Sequence, residues 1–254
     1  MAVIAGSRAL VTGAGSGIGR AVAIRLASQG CRVALVDINR ASLDQLASEI
    51  TRDGGVATPI TASVAEPPDV DRAFGEMDAA FDGIDILVNN AGITGNRATL
   101  DLDHDTWSRV IAINQSGTFY CAQQAGRRMQ SQGGGIIVNV ASIYGLVAAP
   151  ARLAYGASKA AVVMMTKILA VEWAKHNIRV NCVAPGYVET PGTNLLAEAG
   201  VIDLHALRQR TPQGRLAQPE EVSSAIVRFC DEESAHTTGQ VLAVDGGWSA
   251  YGYI

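Results

Sequence analysis

The chain has 254 residues, of which 48% are hydrophobic and 17% charged, and its net charge is −4 with a pI near 5.6. This composition supports a sizeable core in one or two domains. The sequence lacks the basic block that binding to nucleic acid or to an anionic membrane would require, and an aromatic content of 5% argues against a base-stacking surface.

Short β-rich segments alternate with longer helical segments along the chain. In chain order, the sequence predicts a strand at 8–15, a helix at 18–30, a strand at 32–39, a helix at 41–53, a strand at 56–63, a helix at 67–83, a strand at 85–92, a helix at 104–131, a strand at 135–142, a helix at 152–175, a strand at 178–185, a variable stretch at 188–218, a helix at 218–230 and a strand at 240–247. The strand segments are nearly continuously apolar, which is typical of a parallel sheet covered on both faces. We therefore expect residues 1–254 to form a single α/β domain, a Rossmann-like doubly wound parallel sheet of about seven strands with helices on both faces.

The cysteines and the N-terminus favour a cytoplasmic protein. The cysteines at 31, 121, 182 and 230 have spacings that suit neither a zinc site nor a disulfide scaffold, so we expect reduced, buried thiols and no metal. The N-terminus runs into a strand without the basic and apolar regions of a signal peptide. No apolar run approaches the roughly 20 residues of a membrane span.

The first strand leads into the glycine-rich turn TGAGSGIG at 12–19. The spacing GxGxxG fits no register, whereas GxxxGxG fits through Gly13, Gly17 and Gly19, and the missing GK[ST] ending excludes an NTPase phosphate loop. A generic tight turn is the alternative. The glycine-rich segment lies between a predicted strand and a predicted helix, and this position favours a site where the backbone approaches a pyrophosphate at the helix N-terminus.

Asp37 ends the second predicted strand. An acid there can accept hydrogen bonds from both adenosine ribose hydroxyls and would repel a 2′-phosphate, so Asp37 favours NAD over NADP. A helix-capping role is the alternative for Asp37. Arg40 leaves NADP open, because a nearby arginine can accommodate that phosphate.

The segment YGASK at 155–159 places Tyr155 and Lys159 four residues apart in a predicted helix, so they share one face. The two residues are either a surface pair or a proton-transfer device.

Together with NNAG at 89–92, Ser142 and PGYVET at 185–190, these motifs make the sequence resemble the short-chain dehydrogenase/reductase family. The match extends from about Arg8 to Gly247. The resemblance implies an oxidoreductase that interconverts a secondary alcohol and a ketone by hydride transfer with NAD, and with NADP as the less favoured cofactor. The substrate would be a sugar, a polyol or another small hydroxy compound.

The resemblance also implies four catalytic residues. Tyr155 would be the general acid/base, and Lys159 would lower its pKa and bind the nicotinamide ribose. Ser142 would hydrogen-bond the substrate oxygen, and Asn114 would hold a water that links the lysine to solvent. The alternatives are a structural amide that kinks a helix for Asn114 and a strand-end cap for Ser142.

The predicted cofactor site gathers residues from six segments. It comprises Gly13, Ser16, Gly17, Ile18, Gly19, Asp37, Ser63, Val64, Asn90, Ala91, Gly92, Tyr155, Lys159, Pro185, Gly186, Val188 and Thr190. Ser63 stands where the family usually has an acidic residue that meets the adenine.

The predicted substrate-binding residues are Ser142, Tyr144, Tyr155 and Tyr187, with Val147, Ala149, Leu195 and Leu196 as further pocket candidates. Arg152 is either a subunit contact or a substrate anchor, and His205 is either a substrate contact or an exposed loop residue.

Two apolar helices point to assembly. The helix at 152–175 is apolar on more than one face, and the helix that carries Cys121, Ala122 and Ala125 has small residues suited to close packing. With the family resemblance, this implies a homotetramer, and a monomer with a wider core is the alternative.

Other functions stay open from the sequence. They are a 3-oxoacyl (β-keto) reductase that uses NADPH, a non-redox enzyme of the same fold, and a nucleotide-sensing or scaffold protein.

Overall fold

A computed structural model describes residues 4–252 of the chain. The strands are β1 (Arg8–Thr12), β2 (Arg32–Asp37), β3 (Val56–Thr61), β4 (Ile86–Asn89), β5 (Gly135–Val140), β6 (Ile178–Pro185) and β7 (Val241–Val244). The helices are α1 (Gly17–Ser28), α2 (Arg40–Arg52), α3 (Pro67–Phe81), α4 (His104–Ile111), α5 (Gly117–Gln132), α6 (Leu153–Trp173), α7 (Pro191–Glu198), α8 (Leu204–Arg210) and α9 (Pro219–Cys230).

The described strands form one parallel sheet in the order β3-β2-β1-β4-β5-β6-β7, which confirms the predicted doubly wound fold. Strand β2 pairs with one side of β1, and β3 pairs with β2. Strand β4 pairs with the opposite side of β1, so the strand order reverses there. In such sheets, ligands bind in the crevice at the carboxyl ends of the strands, where the strand order reverses. The end of β1 therefore marks the expected site.

Alternating residues of each strand face two different helix layers, because side chains in a strand alternate between the faces of the sheet. Val11 packs in a core cluster with Leu26 of α1 and Ile226 of α9. Its neighbour Leu10 packs in a second cluster with Phe74 of α3. Both faces of the sheet are covered, as the continuously apolar strand segments predict.

Three of the differences between the structure and the sequence prediction have a clear local cause or bear on the cavity, and several other predicted strands end two or three residues earlier than expected. The strand predicted at 8–15 ends at Thr12, because Gly13 has a φ of +65° and turns the chain away from the sheet. The helix predicted at 104–131 is interrupted by a π-helical turn, Ala112–Ser116. The variable stretch at 188–218 contains α7 and α8, which begin after the capping side chains of Thr190 and Asp203.

Helix α6 and the turn after it, Leu153–His176, are long and apolar enough to span a membrane by length and composition, and 39% of the apolar window is buried inside the structure. The sequence analysis expected no such segment. Lys159 and Thr166 lie on the buried side of α6 and donate hydrogen bonds within the chain, to Val140 O and Val162 O. We therefore interpret α6 as a core helix that packs against β6.

The small residues of α5 face the core and not a partner. Cys121, Ala122 and Ala125 are almost fully buried, so this part of the assembly argument is wrong. The face of α6 on the outside is instead formed by Met164, Ile168 and Val171, which are 54%, 48% and 81% exposed.

All four cysteines are buried and unpaired. Burial raises the pKa of the Cys121 thiol to about 12, which keeps it protonated and unreactive.

Candidate active site

A cavity of about 1010 Å³ opens along the carboxyl ends of the strands. Every predicted cofactor- and substrate-binding residue lines it except Gly19. Asn114 is fully buried and lies outside the lining. The parallel sheet explains this convergence, since its strand ends all meet at one edge.

The glycine turn is shaped by steric limits. Gly13 and Gly17 have φ of +65° and +53°, in the left-handed region that favours glycine. A Cβ on Gly13 would lie 2.9 Å from Ala91 Cα, and a Cβ on Gly19 would collide with the carbonyl oxygen of Gly13. Gly19 therefore lets α1 pack closely against the turn, and does not itself line the cavity.

Thr12 and Asn90 join the ends of β1 and β4. Thr12 Oγ1 accepts hydrogen bonds from the backbone N–H groups of Asn90 and Ala91 at 3.0 and 3.1 Å. Asn90 Nδ2 donates to Thr12 O and Gly13 O at 3.0 and 3.1 Å. Sequence reasoning missed Thr12, although its place at the start of the glycine motif was a usable signal. Asn90 thus holds the glycine turn in its conformation.

Asp37 lies beside the glycine turn at one end of the cavity. Its carboxylate accepts hydrogen bonds from the backbone N–H groups of Gly15 and Asn39, both at 3.0 Å. Each carboxylate oxygen can accept more than one hydrogen bond, so capacity is left for ribose hydroxyls. The glycine turn, the N-terminus of α1 and this carboxylate together fit the pyrophosphate and adenosine ribose of a dinucleotide.

Lys159 lies at the other end of the cavity. It is only 4% exposed, and burial lowers the pKa of its ammonium group to about 8. Its Nζ donates to Val140 O at 2.8 Å, which occupies one of three N–H donors. A Cβ on Gly92 would lie 3.4 Å from this Nζ, so Gly92 leaves the ammonium group open towards the cavity.

Tyr155 lies next to Lys159, whose Nζ is 5.8 Å from the centre of the phenol ring. Burial raises the pKa of Tyr155, and a hydrogen bond with Ser142 and the charge of Arg152 oppose that rise. Lys159 is not among the causes of this shift, so its lowering of the Tyr155 pKa stays a prediction. A lowered pKa requires a further positive charge, such as that of an oxidised nicotinamide ring.

Asn114 lies in the π-helical turn that interrupts the predicted helix. Its Oδ1 accepts from Ile93 N at 2.8 Å, and its Nδ2 donates to Ile93 O at 2.9 Å and to Ser158 Oγ at 3.0 Å. The side chain therefore ties the segment after NNAG to α6, as the structural-amide alternative expects. The water-holding role stays a prediction. Single π-helical turns occur often at functional sites.

Aromatic residues form the wall of the cavity beyond Ser142. The hydroxyl groups of Tyr144 and Tyr187 are 2.8 Å apart, and the ring of Tyr187 lies 5.3 Å from that of Trp248. Burial and the hydrogen bond with Tyr187 raise the pKa of Tyr144. Tyr144 therefore stays a neutral hydroxyl donor and acceptor at physiological pH.

The other substrate candidates divide clearly. Leu195, Leu196 and Arg152 line the cavity, whereas Val147 and Ala149 do not. His205 is exposed on α8, hydrogen-bonds Gln209 and lies outside the lining, as the alternative interpretation expects. Sequence reasoning missed Asn96 and Arg109, which also line the cavity. Neither belongs to a recognisable motif.

The buried lysine predicts a pH-dependent stability. Because burial lowers the pKa of Lys159 from 10.5 to about 8, the folded chain releases this proton in that interval while the unfolded chain retains it. The stability of the wild type relative to Lys159→Met should therefore rise between about pH 8 and pH 10.5, by on the order of 3 kcal/mol. Urea unfolding of both cofactor-free proteins across this range measures the difference.

The control for that experiment is Lys167→Met, since Lys167 is exposed on the same helix. Its stability difference from the wild type should not change over the interval. A difference between wild type and Lys159→Met that stays constant with pH would contradict the prediction.

Comparisons with known proteins agree with this geometry. A family model described as enoyl-(acyl carrier protein) reductase matches residues 13–249. A 3-oxoacyl-[acyl-carrier-protein] reductase from Thermotoga maritima is 39% identical, with 95% of this chain and 97% of the relative covered. A D-threitol dehydrogenase from Mycolicibacterium smegmatis is also 39% identical, with 96% and 93% covered.

A solved structure shows the same likeness. The crystal structure of a gluconate 5-dehydrogenase from Burkholderia cenocepacia, in complex with NADP and tartrate, is 37% identical and has a TM-score of 0.91. The match covers 97% of this chain and 96% of that structure.

Proposed function

Since the chain belongs to the short-chain dehydrogenase/reductase family and is an oxidoreductase that acts on CH–OH groups, we propose that it interconverts a secondary alcohol and a ketone. In this proposal the cofactor is NAD(H), and Tyr155 is the general acid/base. The observation that supports this most is the position of Ser142, Tyr155 and Lys159 in the same cavity as the glycine turn and Asp37. A non-redox or scaffold role is disfavoured, because such a protein would not need all three of these catalytic side chains and this chain retains them.

The residues divide the work of the reaction. When bound, the nicotinamide cofactor would supply the acceptor for a hydride, which carries both electrons of the carbinol C–H bond. Tyr155 takes the hydroxyl proton, and Ser142 holds the substrate oxygen by a hydrogen bond. Lys159 would hold the nicotinamide ribose through its free N–H donors and would stabilise the phenolate by its charge. In the reverse direction, Tyr155 returns the proton to the oxygen of the ketone.

A screen of activity tests the proposal. Secondary alcohols, sugars, polyols and β-ketoesters should be offered with both cofactors, and the absorbance of the reduced nicotinamide should be followed. We expect turnover of at least one class of secondary alcohol. Absence of turnover across all classes with either cofactor would count against the proposal.

The substrate class that we favour is a small polar hydroxy compound, such as a sugar or polyol derivative. The paired hydroxyl groups of Tyr144 and Tyr187 offer hydrogen-bonding partners for a second substrate hydroxyl. The D-threitol and gluconate relatives act on such compounds by their names. A 3-oxoacyl reductase that uses NADPH is the second candidate, because one relative of equal identity carries that name.

The preference for NAD over NADP rests on Asp37. Among the described residues, the cations that line the cavity are Arg109, Arg152 and Lys159, and none of them comes from β2 or from the turn after it. Arg40 is ion-paired with Asp44 at 2.8 Å and does not line the cavity. The NADP-bound relative points the other way, so the cofactor has to be measured.

We predict that NAD exceeds NADP in kcat/KM by about tenfold or more, which corresponds to about 1.4 kcal/mol. Asp37→Ser should shrink this ratio, because it removes the charge that repels a 2′-phosphate. Steady-state kinetics with both cofactors provide the measurement, and Asp53→Ser is the matched control, since Asp53 is exposed at the end of α2 and lies outside the cavity lining. Equal use of both cofactors by the wild type would refute the assignment.

We also propose a homotetramer that uses the outer face of α6. Exposed apolar side chains there cost free energy unless a partner covers them. Ile168→Glu should lower the mass from about four chains, because a carboxylate buried in an apolar contact is strongly disfavoured. Light scattering measures the mass, with Val56→Glu as control at an apolar residue of similar exposure on the edge strand. A wild-type monomer would rule out the interface.

A further inference from the structure

The charges that line the cavity are distributed unevenly. Among the described residues, Asp37 is the one acidic residue in the lining, and it lies at the glycine-turn end. Arg109 and Arg152 line the cavity as well, and neither forms an ion pair with any described carboxylate. Most arginines that line no cavity in this chain find a carboxylate or carbonyl partner. Arg152 hydrogen-bonds Tyr144, and because a guanidinium group has five N–H donors, both lining arginines keep donors available for a ligand.

The segment after NNAG lies between the two helix segments that carry the arginines. A Cβ on Gly95 would lie 2.8 Å from Val110 Cγ2 and 3.9 Å from Ala154 Cβ. Val110 follows Arg109 on α4, and Ala154 is two residues from Arg152 at the start of α6. Gly95 is thus packed between the two helix segments that carry the arginines.

Asn96 adds an unpaired amide at the same place. Its Oδ1 and Nδ2 atoms are both buried without a hydrogen-bond partner, and the residue lines the cavity. An unpaired buried amide costs free energy, so a polar ligand that engages Asn96 recovers that cost. The end of the cavity defined by Asn96, Arg109 and Arg152 therefore has the chemistry of an anion site.

Arg152 lies near two tyrosines that line the cavity, Tyr144 and Tyr155. Ala151 has a φ of +57°, unusual for a residue other than glycine, and this left-handed turn sets the direction in which Arg152 leaves the backbone. The guanidinium carbon lies 5.7 Å from the centre of the Tyr144 ring. Its charge also reaches Tyr155, where it opposes the rise in pKa caused by burial. Arg152 therefore lies close to both tyrosines of the reaction site.

We propose that the natural substrate is a small hydroxy acid, or the corresponding oxo acid, whose carboxylate binds Arg152 while its hydroxyl group lies between Ser142 and Tyr155. This inference rests on the proposed function and narrows its substrate class. The planar guanidinium group pairs with a carboxylate through two parallel hydrogen bonds. Arg109, exposed at the rim, attracts the anion, and Asn96 supplies an amide donor beside it.

The experiment compares each member of a panel of small hydroxy acids with its own methyl ester. The ester keeps the hydroxyl group and removes the charge, so the ratio of the two kcat/KM values isolates the carboxylate. We expect the wild type to prefer at least one acid over its ester by about tenfold or more. Arg152→Gln should lower that ratio by about tenfold, mainly through a higher KM for the acid. Because the ratio cancels any effect on Tyr155, a general loss of activity does not imitate this result.

Two further variants separate charge from structure. Arg152→Lys keeps the positive charge and should retain part of the preference. Arg52→Gln is the matched control, since Arg52 is exposed at the end of α2 and lies outside the cavity lining. It should leave the ratio unchanged. A wild type that turns over neutral alcohols as well as the acids, or a ratio unaffected by Arg152→Gln, would overturn the inference and leave the proposed function intact.

A different result would identify failure of the proposed function. If no alcohol or ketone is turned over with either cofactor, the oxidoreductase assignment to this substrate range fails. The anion site is then judged by calorimetry with malonate. Binding that Arg152→Gln abolishes and Arg52→Gln retains would support the carboxylate site, and equal binding by both variants, or none by the wild type, would overturn it.

Discussion

Tyr155→Phe is expected to lower kcat by at least about 100-fold, the usual size of a general acid/base contribution. The variant removes the transferable proton and keeps the ring, so the packing around Ser142 and Lys159 should survive. Cofactor affinity should stay nearly unchanged, because the substitution removes no charge and no N–H donor. Turnover in steady state and cofactor binding by calorimetry measure the two effects separately.

Lys159→Ala is the comparison that gives this prediction its specificity. Lys159 holds the charge and the free N–H donors that face the cavity, so its loss should lower cofactor affinity as well as kcat. The lysine therefore acts on binding and chemistry together, and the tyrosine on chemistry alone. Wild-type turnover by Tyr155→Phe, or unchanged affinity and turnover in Lys159→Ala, would show that the proton-transfer mechanism is wrong.

The pH at which Tyr155 loses its proton should depend on the bound cofactor. In the chain by itself, burial raises the pKa of Tyr155, and the phenolate needs the positive charge of an oxidised cofactor. The phenolic proton should therefore be released at lower pH in the complex with NAD than in the free protein. Ultraviolet titration of the phenolate absorbance in both states, corrected with Tyr155→Phe, provides the spectroscopic check.

Gly19→Ala is expected to lower cofactor affinity by at least about tenfold and to destabilise the fold by about 1–3 kcal/mol. Helix propensity alone predicts the opposite sign, because alanine stabilises a helix by about 1 kcal/mol relative to glycine. The steric argument prevails here, since the added Cβ would collide with the carbonyl oxygen of Gly13 and with Asn90 Nδ2. Relief of that collision must displace the glycine turn that approaches the pyrophosphate.

Gly75→Ala supplies the matched control. Gly75 is exposed in the interior of α3, and a Cβ there would meet no atom within 4 Å. This variant should gain about 1 kcal/mol of stability and keep full cofactor affinity. Urea unfolding and calorimetry measure both variants. A Gly19→Ala protein that behaves like Gly75→Ala would show that close packing at Gly19 is not required.

Local sequence patterns were sufficient to predict the parallel sheet and most of the residues that line the cavity. Continuously apolar strand segments between amphipathic helices specify a parallel sheet covered on both faces, because each segment must bury both of its faces. Once the sheet is parallel, its strand ends must meet at one edge. The glycine turn, Asp37, NNAG and Ser142 all follow strands, so their convergence in one cavity follows from the order of motifs along the chain.

Other features depend on contacts between distant segments, which leave no local pattern. The π-helical turn at Asn114 forms where its amide reaches Ile93 and Ser158. The burial of Cys121 and Ala125 depends on which face of α5 meets the sheet. The raised pKa of Tyr155 and the lowered pKa of Lys159 come from burial by surrounding segments.

What the sequence by itself determined is the fold, the family and the chemical identity of the site residues, since these depend on residue types at fixed spacings along one chain. Only the tertiary structure showed that the amide of Asn96 and the guanidinium groups of two arginines line the same cavity as Ser142 and Tyr155. Asn96, Arg109 and Arg152 belong to no common motif and come from three different segments. Packing of α4 and α6 around Gly95 brings together the segments that carry Arg109 and Arg152. A contact between segments so far apart along the chain leaves no local pattern in the sequence, whereas the electrostatic field that a ligand meets depends on distance in space.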